Sequence, residues 1–97
     1  MKSISIIILT YNNLSYTKQC IESIRTYTPK DLYELIVVDN GSTDGTRQWL
    51  KKQEDISYVF AEENLGFPKG CNVGIQKACK ENDLLLLNND TIVTEHW

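Results

Sequence analysis

The chain has 97 residues, 41% of them apolar and 24% charged, with ten basic and thirteen acidic side chains for a formal net charge of -3. That length holds one small domain or half of a larger one, and the composition excludes a disordered chain. The acidic balance disfavours a nucleic-acid partner, which calls for a basic surface to displace counterions from phosphate.

In chain order, Met1-Lys2-Ser3 leads into an apolar run over residues 4–9, too short for a secretory signal. No stretch reaches the roughly 20 apolar residues that cross a bilayer, so a soluble, cytoplasmic chain is expected. Further apolar runs follow at residues 35–38, 58–61 and 84–87. All four are continuous rather than alternating, the pattern of strands covered on both faces of a parallel sheet. Between the first two, residues 14–26 carry Cys20, Ile21 and Ile24 at helical spacing, with Asn12 or Asn13 to cap them and Pro29 to bar continuation. Ser42 or Asp44 can cap a second helix holding Trp49 and Leu50. A third opens near Pro68 and sets Phe67, Cys71, Ile75, Ala78 and Cys79 on one face. Gly70 and Gly74, one turn apart, let that helix approach a sheet closely. The alternation predicts an α/β, Rossmann-like fold: a mostly parallel sheet of about four strands, right-handed crossovers and helices on both faces. No repeat or linker divides the chain. Cys20, Cys71 and Cys79 are odd in number and form no Cys-x-x-Cys pair, which favours buried free thiols over a disulfide framework or zinc site.

In open parallel sheets ligands bind beyond the carboxyl ends of the strands. Here those ends turn abruptly polar: Thr10-Tyr11-Asn12-Asn13, Asp39-Asn40-Gly41-Ser42 and Asn88-Asn89-Asp90-Thr91. Asp39 can accept hydrogen bonds from a nucleobase or ribose, or it can simply close an Asx turn. Asp90 offers a carboxylate to a hard divalent cation that completes its shell with water and substrate phosphate, or it belongs to a polar turn. Lys69 lies beside Gly66 and Gly70 at a helix start, where amides and the helix dipole favour anions; the alternative is a solvated lysine. No Walker loop and no Gly-x-Gly-x-x-Gly is present, which counts against a dinucleotide oxidoreductase. His96 is the sole histidine and reads as a surface or loop residue, so a Ser-His-Asp arrangement has little support.

Taken together, segments 5–12, 34–46, 64–75 and 86–91 resemble the amino-terminal, nucleotide-binding portion of family-2 glycosyltransferases with the GT-A fold. The block Val38-Asp39-Asn40-Gly41-Ser42-Thr43-Asp44-Gly45-Thr46 carries most of that resemblance. It implies transfer of a sugar from a nucleoside-diphosphate donor to a glycan or lipid-linked acceptor, usually with inversion. By the same resemblance Thr10, Tyr11 and Asn12 line the base pocket, Asp39 contacts the base and Lys69 borders the nucleotide. Asn89 bonds the ribose, and Asp90 binds Mg2+ or Mn2+ as the one charged member of an Asp-x-Asp-like motif. The family's catalytic base and acceptor half lie further along, and Glu95 is too close to the metal segment to serve as that base. Residues 1–97 are therefore expected to be an incomplete domain that binds nucleotide without transferring sugar. The rival expectation is a non-catalytic nucleotide-binding or oligomerisation module, with an open sheet edge able to pair with a second copy.

Overall fold

A computed structural model describes residues 4–61 and 66–88. The elements run β1 (Ile4–Thr10), α1 (Leu14–Tyr27), a 3-10 turn (Lys30–Leu32), β2 (Tyr33–Asp39), α2 (Thr46–Lys51), β3 (Ile56–Phe60), α3 (Gly66–Lys77) and β4 (Asp83–Asn88). The four strands form one parallel sheet in the order β3-β2-β1-β4. The α/β architecture expected from the alternation of runs is the one observed.

β1 and β2 are central, and their continuous apolar sequences follow from having both faces covered. Ile6, Ile8, Leu35, Val37 and Ile56 meet Cys20, Ile21 and Ile24 of α1 and Leu50 of α2. On the opposite face Ile7, Ile36 and Val38 meet Ala78, with Leu9 and Val73 packed alongside. Each fully buried Ile, Leu or Val contributes about 1.5–3 kcal/mol. The chain steps outward from β1 to β2 to β3 and then returns past β1 to β4. Right-handed crossovers require the helix of that return to change face, and α3 alone does so. Where the order reverses, beside β1, the carboxyl ends open a crevice.

Three expectations need correction. The edge strands are not covered on both faces: Leu85 and Leu87 pack on the α1 side, while Leu84 and Leu86 are exposed, because α3 lies over β1 and β2. The buried face of α3 is centred on its glycines. Gly70, Cys71, Gly74 and Ala78 are buried, whereas Ile75 and Cys79 face outward; the Phe67 side chain lies outside the description. A Cβ at Gly74 would stand 2.5 Å from Ile7 Cγ2 and 3.1 Å from Val38 Cγ2, and one at Gly70 2.5 Å from Leu9 Cδ1. Backbone contact decides which face turns inward, and bulkier Ile75 is left at the rim. Finally, the cysteines are free, but only Cys20 and Cys71 are buried; Cys79 is exposed.

At the amino-terminal edge the Glu34 carboxylate accepts from the Ser5 hydroxyl (2.5 Å), the Cys79 N–H (2.8 Å) and the Asn82 amide (3.1 Å). This fastens the α3–β4 connection to β1 and β2. A cavity of about 290 Å³ lined by Glu34, Glu54 and Asp55 opens at this edge, the end of a parallel sheet away from its ligands.

Candidate nucleotide site at the carboxyl edge

Parallel register sets the loops side by side: Thr10 pairs with Asp39, Asp39 with Phe60, and Leu9 with Asn88. The ladder continues past the strands, with Asn40 N–H donating to the Thr10 carbonyl and Ala61 N–H to the Asp39 carbonyl, each at 2.8 Å.

Much of the polarity at this edge is spent inside the protein. Thr10 is buried, its hydroxyl 2.8 Å from that of Thr17. Asn12 sits in the left-handed region (φ 57°); its side-chain oxygen accepts from Thr43 N–H (2.8 Å) while its own N–H donates to the Ser42 hydroxyl (2.7 Å). Two loops far apart in sequence are thus stitched together. Asn13, also left-handed, makes no side-chain cap to α1. That task falls to Asp44, whose Oδ2 accepts from Leu14 N–H (3.0 Å) and whose Oδ1 accepts from the Thr46 N–H (3.1 Å) and hydroxyl (2.6 Å). One carboxylate therefore serves the starts of α1 and α2, as an anion at helix amino termini should. Burial pushes the Asp44 carboxyl up, but the bonds from Thr46 and Leu14 outweigh it and hold the group below the ordinary carboxylate value.

Asp39 is wholly buried. Both its oxygens accept from Ser42 N–H (3.3 Å each), so the carboxylate does close the turn that follows β2, by a bond three residues on. The same carboxylate accepts from Arg47 Nε at 2.5 Å, and the Arg47 Nη2 group donates to the Ala61 carbonyl. The guanidinium also lies 5.1 Å over the Phe60 ring, which stacks on Tyr58 at 4.8 Å. A buried carboxylate without such a partner would carry a large desolvation cost.

Tyr11 is exposed and Lys69 is exposed on the first turn of α3. Beneath that turn, buried Asn40 donates through its amide to the Gly66 carbonyl (3.4 Å). The structure thus brings Thr10, Tyr11, Asn12 and Asp39 to one edge, with Lys69 on the helix next to Asn40. Asn89 and Asp90 lie outside the described residues; β4 runs toward the same edge beside β1. No group of three metal-binding side chains occurs among the described residues. Arg47 escaped sequence reasoning, as did the reach of Asp44 to α1; its cap on α2 is the one expected. The signal available for Arg47 was a cation at the start of the helix that follows the strand ending in Asp39.

The sequence profile of Glycosyl transferase family 2 matches residues 5–97. The chain belongs to that family. It is 31% identical to the glycosyltransferase AglE of Haloferax volcanii over 97% of its own length and 32% of that protein. It is 32% identical to the poly(ribitol-phosphate) beta-glucosyltransferase of Bacillus spizizenii, over 93% of this chain and 15% of the other. Among solved structures, S. aureus TarS 1-349 in complex with UDP-GlcNAc superposes with a TM-score of 0.78 at 33% identity, covering 93% of this chain and 27% of TarS 1-349. The mannosyltransferase PcManGT of Pyrobaculum calidifontis, in complex with GDP-Man and Mn2+, gives 0.77 at 25%, covering 92% and 28%. The chain spans about a third or less of each of these proteins. Its sheet is the Rossmann-like, amino-terminal portion of the family-2 GT-A fold. No helix among the described residues is long and apolar enough to cross a membrane.

Proposed function

We propose that this family-2 chain binds a nucleoside-diphosphate sugar at the carboxyl edge of its sheet, as the donor half of an inverting transferase acting on a glycan or lipid-linked acceptor. The observation that carries the reading is the convergence of β1, β2 and β4 on one edge at the strand-order reversal, in a fold shared with structures holding UDP-GlcNAc and GDP-Man. Tyr11, Thr10 and Asn12 border the base, with Asp39 anchoring that side of the pocket. Lys69 flanks the nucleotide, and Asn89 bonds the ribose.

The Asn88-Asn89-Asp90 segment offers hard oxygen donors, which suit Mg2+ or Mn2+. Asp90 would hold the ion. When bound, such an ion neutralises charge on the departing diphosphate, worth several kcal/mol. A chain of net charge -3 gains little from its own field toward a dianionic ligand.

A thermal-shift screen of UDP-, GDP- and dTDP-sugars with and without Mn2+ tests the reading. A ligand bound only by the native state raises the apparent melting temperature, by about 2.7 kcal/mol of stability at a hundredfold excess over Kd. No shift with any donor at millimolar concentration would overturn it.

A further inference from the structure

The Asp39 side chain is 0% exposed, while that of Arg47, lying against it, is 30% exposed. The guanidinium is the accessible member of the pair at this strand end. Arg47 is also held from three sides, by the Asp39 carboxylate, the Ala61 carbonyl and the face of Phe60. Its planar fork is thereby fixed at the carboxyl edge between β2 and β3. Nη1 takes no partner among the described residues, so the fork retains N–H groups for an acceptor.

We propose that Arg47 is a specificity-determining residue of the nucleotide pocket, donating to a ring carbonyl of the base, and that Asp39 positions Arg47. The inference rests on the nucleotide-binding function proposed above and extends it. Its ligand class is a carbonyl-bearing base (uracil, thymine or guanine), with adenine the base that offers no carbonyl. Lysine is no substitute, because a single ammonium cannot span Asp39, Ala61 and a base together.

The experiment is calorimetry on the full chain with Mn2+, comparing UDP, GDP, ADP and inorganic pyrophosphate. The wild-type protein should prefer UDP or GDP over ADP by about tenfold or more, the scale of one charged hydrogen bond. In Arg47→Lys, which keeps a charge against Asp39, that preference should collapse while pyrophosphate affinity is unchanged. The neutral pair Asp39→Asn with Arg47→Gln strands no charge; it should also bind pyrophosphate and fail to discriminate. Circular dichroism confirms folding of each. Retention of base preference in either variant, equal loss of pyrophosphate binding, or a wild type indifferent between UDP, GDP and ADP would overturn the assignment of Arg47. A wild type that binds no nucleotide would overturn the proposed function and this inference with it.

Discussion

A single carboxylate shows how little of the site's support is local. Asp44 reaches Leu14, a residue 30 positions earlier, and Thr46, two positions later. Asp44→Ala removes both caps and should cost about 1–2 kcal/mol, read as a lower urea midpoint with unchanged slope. Asp44→Asn, with one acceptor oxygen, should fall between. Its carboxyl is held below the unfolded value of about 3.9. Its contribution is therefore present above about pH 4 and lost as pH falls through the folded-state value. Asp39 and Asp90 should separate differently. Asp39→Ala is expected to weaken donor binding even without metal, whereas Asp90→Ala should abolish only the metal-dependent part. Titration calorimetry with EDTA and with Mn2+ distinguishes them, and unchanged affinities would remove either residue from the site. The placement of Thr10, Tyr11, Asn12 and Asp39 at one edge was legible because a strand that ends in polar residues announces its own carboxyl edge. The cap of Asp44 on α2 was legible too, but Arg47 and the bond from Asp44 to Leu14 were not, because their partners come from other loops and nothing in local spacing encodes them.

Helix α3 sets two glycines against the sheet, and they should not be equivalent. Replacing a helical glycine by alanine gains about 1 kcal/mol in propensity. At Gly70 the new Cβ meets the far end of Leu9, which can turn away, so Gly70→Ala should be near neutral. At Gly74 it meets Ile7 Cγ2 and Val38 Cγ2, both on β-branched side chains of buried residues. Overpacking there costs about 1–3 kcal/mol, which outweighs the propensity gain. Gly74→Ala should therefore lower the melting temperature while Gly70→Ala does not, and the reverse order would disprove the close-packing account. The Gly-x-x-x-Gly spacing was readable in the sequence; the orientation of the face was not. A hydrophobic pattern favours turning Ile75 inward, but the close approach fixes the rotation by backbone contact instead.

Over the whole molecule, apolar runs without alternation foretold a parallel sheet, and the sheet is parallel throughout. They could not foretell its order, because the four runs look alike while two are central and two are edges. The difference is set by which helices lie over them. Acid response belongs to this scale as well. Bonding to Arg25 holds the Asp55 carboxyl low, and Asp44 shifts the same way. Both groups bind protons more readily in the unfolded chain, so their contribution to stability should decline on acidification below about pH 4. A urea-midpoint series against pH checks this; a midpoint rising toward acid would contradict it.

The placement of β1 has a consequence for biogenesis. β1 leaves the ribosome before the other three described strands and is flanked by β2 on one side and, on the other, by β4, the last of them. Until β4 emerges, one border of β1 lacks its backbone partner and its isoleucines lack part of their cover. Such non-local pairing is slow and leaves nascent chains prone to stick to one another. Ribosome-bound intermediates halted before residue 83 should be held by chaperones, and release should follow only when the leucine strand docks.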